Sequence, residues 1–110
     1  MIQGTIDEIE KKIQKADSLD SSSRKELLSL VSALKTEVTG LSATHREQAE
    51  SIAGFTALSA HEATREAKDP RLLTLALDGL SSSVKGFEVT HPRLVQAANS
   101  ICDTLSNMGI

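Results

Sequence analysis

Tryptophan and tyrosine are absent from this sequence, and Phe55 and Phe87 are its only benzenoid rings. That removes the platforms on which bases and sugars stack, and the aromatic anchors of many tight interfaces. Cysteine occurs once, as Cys102, so no internal disulfide can form and nothing points to an oxidising compartment. Two prolines and six isolated glycines leave long stretches free to be helical, and they build no phosphate-cradling loop. The longest nearly apolar run, Leu72 to Leu77, is far shorter than the about twenty residues that span a bilayer, which predicts no membrane insertion. Nor is there an excess of positive charge. Twelve Lys and Arg against fifteen Asp and Glu give a net charge of −3, which argues against the basic face that nucleic acid requires. In the opening residues Ile2 is followed by Asp7, Glu8, Glu10, Lys11 and Lys12, with no apolar leader core, and the expected location is the cytoplasm.

What is present is a spacing. Apolar residues recur four then three apart in Ile2, Ile6, Ile9, Ile13, Ala16, and again in Leu27, Val31, Leu34, Val38, Leu41. The pattern returns in Leu73, Leu77, Leu80, Val84, Phe87 and in Leu94, Ala98, Ile101, Leu105, Met108. A mean step of 3.5 residues keeps each series on one helical face, as bundle cores and coiled-coil seams require. Period-two alternation is not sustained anywhere. The fold class is all-α: an antiparallel helical bundle of four or five helices with coiled-coil-like heptad seams, in one domain over 1–110.

Punctuation divides the chain. Thr5 to Glu8, Ser23 to Glu26 and Thr44 to Glu47 read as capping boxes, Ala16 to Ser22 as a polar connection, and Gly40 as a C-terminal cap. Asp69-Pro70 and His91-Pro92 start two further helices, and Gly109 reads as a stop. The Ala-rich middle allows two readings. In one, Ala49, Ala53, Thr56, Ala60, Ala63 and Ala67 form a close-packing seam after a break near Gly40. In the other, the second helix runs on through His45, Gln48, Ile52 and Phe55 for about 45 residues, roughly 65 Å. The break is preferred, because glycine inside a helix costs about 1 kcal/mol relative to alanine.

The segment Gly86-Phe-Glu-Val-Thr-His-Pro-Arg-Leu94 and the ending Leu105-Ser-Asn-Met-Gly-Ile110 resemble a bacterial family, the domain of unknown function numbered 4404. Its members are similar in a Phe-Glu-x-x-His-Pro-x-Leu segment and in a terminus close to Leu-x-x-Met-Gly-Ile. The likeness is strongest over the last forty or so residues, and 44–69 looks like an insertion or a helix extension. The resemblance implies a bacterial source and a small helical fold, and supplies no activity or cofactor.

Several residues invite chemistry. Glu88 and His91 form an E-x-x-H pair, the half-motif of carboxylate-bridged metal bundles, and are weak candidate metal ligands. A second half-motif is missing, and Pro92 biases His91 out of helical geometry; the plainer reading is a solvated Glu88 and a His91 at the C-terminal end of its helix. His45 and His61 read as solvated surface residues, and Cys102 as a half-buried structural thiol lacking the base or cation that would make a thiolate. Ser21 to Ser23 read as a capping cluster, Ser81 to Ser83 as a polar face or helix crossing, and neither run has a triad partner. The charge of Lys11, Lys12 and Lys15 is largely cancelled by Asp7, Glu8 and Glu10.

The expectation is therefore a non-enzymatic structural or protein-interaction module, with no catalytic residues and no cofactor. It pairs with itself, a dimer being favoured, or with another protein. The charge-poor stretch after Leu72 is the more buried third or an interface. Residues expected in the core or self-interface are Ile6, Ile9, Ile13, Leu27, Val31, Leu34, Leu80, Val84, Phe87, Ile101 and Leu105. The alternative is a metal- or small-ligand-binding bundle using Glu88 and His91.

Overall fold

Five helices carry the four seams and the Ala-rich middle: α1 (Ile2–Lys15), α2 (Ser21–Ser42), α3 (Arg46–Thr64), α4 (Pro70–Ser83) and α5 (Pro92–Met108). The computed structural model describes residues 2–17 and 19–108, and no strand occurs among them. Gly109, expected to stop the last helix, lies outside the described residues. The α2 series Leu27, Val31, Leu34, Val38 and Leu41 is buried throughout, as are Ile6, Ile9 and Ile13 of α1 and Leu94, Ala98, Ile101 and Leu105 of α5. Leu80 and Val84 are also buried, and Phe87 is half-buried against the same core. These residues meet in one continuous cluster within a single chain. The radius of gyration, 12.8 Å, is close to the about 13 Å of a compact domain this long. The seams thus close on one another within the chain.

The helix ends depart from expectation in instructive ways. α1 is already helical at Ile2, so Thr5 lies inside it rather than capping it. α2 is capped by Asp20, not Ser23: the Asp20 carboxylate accepts the Ser23 N–H at 2.7 Å. An ionised carboxylate is a stronger acceptor than a hydroxyl, and that backbone bond holds Asp20 below the usual carboxylate range. The connection before α2 is not wholly polar, since Leu19 is buried. Arg24 reaches back from α2 and donates to three carbonyls, that of Ile13 in the last turn of α1 at 3.3 Å and those of Ala16 and Leu19 in the connection at 2.5 and 3.1 Å. One guanidinium so ties the last turn of α1 and the connection to α2, adding to the backbone bonds that Ile13 O and Ala16 O already accept.

The long-helix reading of the middle is wrong, and the break falls just after Gly40 rather than on it. α2 runs through Gly40 to Ser42 and closes with tight turns, in which the Thr44 and His45 N–H groups both donate to Leu41 O at 3.1 and 2.8 Å. This ending uses ordinary right-handed residues, so Gly40 is not needed as a cap. His45, with no side-chain cap bond, precedes α3, so the Thr44 box does not form. In α3 the small series wins: Ala49, Ala53, Thr56, Ala60 and Ala63 are buried with Ile52, whereas Gln48 and Phe55 are exposed and Ala67 falls in the connection. Small side chains let α3 sit close to α4, its most extensive neighbour, and to α1. Asp69 caps α4 through Oδ1, accepting from the Arg71 and Leu72 N–H groups, with Pro70 in the first turn.

Candidate functional site

Glu88 and His91 do not share a helical face. α4 ends at Ser83 and α5 begins at Pro92, so both residues lie in the connection between them. Gly86 turns that connection with φ +96°, a backbone region open to glycine but not to residues with a Cβ. The Glu88 carboxylate folds back to accept the Gly86 N–H, at 2.7 and 3.1 Å, and the His91 N–H donates to Phe87 O at 2.8 Å. The His91 Nδ1 lies 2.9 Å from the Thr90 hydroxyl. His91 therefore stands ahead of a helix instead of ending one, and a C-terminal dipole has no part in its placement. The turn meets His45, from the α2–α3 connection, which spacing along the chain does not predict. His45 meets Phe87 edge-on at 5.5 Å between ring centroids, and Phe87 meets His91 likewise at 5.5 Å, the two imidazoles lying 6.3 Å apart. Among the described residues no three His, Cys, Asp or Glu gather where they could hold a metal.

The other candidates sit in structural roles. His61 is exposed, 3.5 Å from Lys12 Nζ and 3.9 Å from the Glu62 carboxylate, which pairs with Arg65 at 2.9 Å. Cys102 is half-buried with its thiol 3.7 Å from Leu77 O; burial, then the carboxylates of Asp103 and Asp78, push it up to about 11. It is a thiol at neutral pH, the opposite of an activated nucleophile. Ser23 offers its N–H to Asp20, and Ser83 donates its hydroxyl to Leu80 O. Lys11, Lys12 and Lys15 line an open cleft of about 440 Å³ whose wall also carries Glu8.

The feature that sequence reasoning missed is apolar. Along the outer edge of the α3–α4 seam, Phe55 and Leu58 from α3 and Leu72 and Leu75 from α4 remain 36, 45, 37 and 60% exposed. Their spacing explains the alignment. The members of each pair are three positions apart, which places them on one side of their helix. The Phe55 ring lies over Gly79, where any Cβ would overlap its Cδ1 and Cε1 and come within 3.0 Å of Cζ. Next to Leu58 in the chain, Ser59 is fully buried, and its hydroxyl has no hydrogen-bond partner among the described residues. A periodicity search finds the faces that point inward; the flank of the same helices needs the third dimension.

Residues 56–110 match a family described as a domain of unknown function, DUF4404. The chain belongs to this family. No curated protein and no solved structure matches the chain. The DUF4404 match reaches back to Thr56, so 56–69, expected to be part of an insertion, lies inside it. It contains the Gly86–Pro92 turn, whose Phe87, Glu88 and His91 are engaged in shaping the connection. It also contains Leu58, Leu72, Leu75 and Gly79, so the apolar stripe is carried largely by the DUF4404 part of the chain.

Proposed function

We propose that this DUF4404 protein is a non-enzymatic protein-interaction module of the bacterial cytoplasm that associates with itself. The observation that carries the reading is the stripe of Phe55, Leu58, Leu72 and Leu75, left open by a chain whose other apolar seams are closed. Together these side chains expose nearly as much as two full-sized apolar residues, and covering them is worth about 3–5 kcal/mol per copy. Two copies facing one another gain about 6–10 kcal/mol, against an association cost of about 4–15 kcal/mol. That balance leaves at most about −6 kcal/mol, short of the about −8 kcal/mol of a 1 μM complex, and describes a weak, concentration-dependent dimer of tens of micromolar or weaker. Support for a role other than catalysis comes from what the reactive groups are doing: Glu88 caps a turn, His91 and His45 pack on Phe87, and Cys102 is held protonated. A bacterial, cytoplasmic setting rests on the family resemblance and on a lone thiol suited to a reducing compartment.

The test is absolute mass by light scattering behind size exclusion, over a wide range of loading concentration. The expected result is a weight-average mass that rises from 11.8 kDa towards twice that value. A mass that stays at 11.8 kDa at every concentration refutes self-association.

A further inference from the structure

The stripe has a symmetry that selects how two copies meet. Phe55 lies over Gly79, and the connection 65–69 stands midway between them in sequence, so α4 doubles back along α3. Stepping inward from that contact brings Leu58 level with Leu75, and places Phe55 and Leu72 at opposite ends of the stripe. On α4, Arg71, Leu75 and Asp78 follow one another at intervals of four and three and share one exposed face. Arg71 lies about 6 Å along the axis on one side of Leu75, and Asp78 about 4.5 Å on the other. Arg71 makes one loose ion pair, to the Asp69 carboxylate at 3.8 Å, and leaves 82% of its side chain exposed to reach outward, while Asp78 has no ion pair among the described residues.

We infer that two copies dimerise about a two-fold axis through Leu58 and Leu75, with α4 antiparallel to its counterpart and Arg71 paired with the partner's Asp78. This inference rests on the self-association reading and specifies its geometry. A two-fold axis at that point is isologous: it sets Leu75 and Leu58 each against its own copy and brings Phe55 to the height of the partner's Leu72, across the seam from it. The same rotation brings Arg71 and the partner's Asp78 to within about 1.5 Å of the same height, twice per dimer. A parallel arrangement would set Arg71 beside Arg71 and Asp78 beside Asp78. Opposite charges at the rim of an apolar patch fix register in this way, and like charges there exclude the alternative.

The experiment is sedimentation equilibrium on the full chain at low ionic strength, with circular dichroism confirming the fold of each variant. It compares the native protein with Leu75→Glu, Arg71→Asp, Asp78→Arg and the Arg71→Asp/Asp78→Arg double exchange. The inference expects Leu75→Glu to leave monomer only, each single charge reversal to weaken the dimer about tenfold or more, and the double exchange to restore it. A dimer indifferent to Leu75→Glu, or one that the double exchange fails to restore, overturns the two-fold geometry while self-association stands. A native chain that is monomeric at every concentration overturns both.

Discussion

Replacing Gly79 with alanine should have opposite effects depending on what stands at position 55. In an ordinary helix interior the change stabilises by about 0.5–1 kcal/mol, because glycine loses more backbone freedom on folding. Here the new methyl would occupy the space of the Phe55 ring edge. The ring is 36% exposed and sits at the end of a two-torsion side chain, so it can swing into solvent and α4 need not move. It then gives up the roughly two-thirds of its surface that is covered, a loss of about 1–2 kcal/mol. In the native background the two effects nearly cancel, leaving Gly79→Ala neutral or destabilising by up to about 1.5 kcal/mol. In a Phe55→Ala background nothing opposes the methyl, and the same change stabilises by about 0.5–1 kcal/mol, or several degrees in melting temperature. Urea unfolding of the four proteins at low concentration, followed by circular dichroism, gives the coupling energy, expected at about 1–2 kcal/mol. Gly54, exposed on α3 with open space around it, is the control whose alanine variant should gain equally in both backgrounds. A coupling below about 0.5 kcal/mol, the level at which independent sites simply add, would falsify the account of Phe55 resting on Gly79.

Other outcomes follow from single contacts. Arg24→Ala should cost about 2–3 kcal/mol by stripping three carbonyls of their shared donor, and Arg24→Lys should recover only part of it; equal stability of all three proteins would remove the clamp from the account. Ser59→Ala should stabilise by about 1 kcal/mol in urea melts, since it deletes a buried hydroxyl without a partner, and a loss of stability would reveal a bond that the side chain does make. Cys102 should react slowly with disulfide reagents at pH 8 and accelerate steeply only as pH approaches about 11; because the folded state holds its proton above the ordinary thiol range, folding stability should decline between pH 9 and 11, a decline that Cys102→Ala abolishes. Asp20→Ala should lower the melting temperature at neutral pH, with the difference shrinking in acid: a carboxylate whose pKa is depressed by folding contributes above its unfolded value and loses that contribution as pH falls. A difference that persists unchanged in strong acid would assign the cap to something other than charge.

The sequence alone determined the inward faces. Repeated four-three spacing is a property of each helix by itself, so Leu27 to Leu41 or Leu94 to Leu105 could be assigned without knowing what they pack against. Asp69-Pro70 and His91-Pro92 also marked their helix starts correctly, because a proline's fixed φ and missing donor act locally. Tertiary structure decided whatever depended on choosing among local options. Asp20 prevailed over Ser23 because the helix starts earlier, at Ser21, where the Asp20 carboxylate is placed to accept the Ser23 N–H. The small face of α3 prevailed over the Gln48–Phe55 face because only small residues allow the close approach to α4 and α1. Glu88 and His91 separated because the chain had to turn at Gly86, and His45 joined Phe87 because two connections lie at one end of the bundle. The outward stripe belongs wholly to this second class. Whether Phe55 or Leu75 is covered depends on the space between two helices, and no residue's own chemistry encodes that.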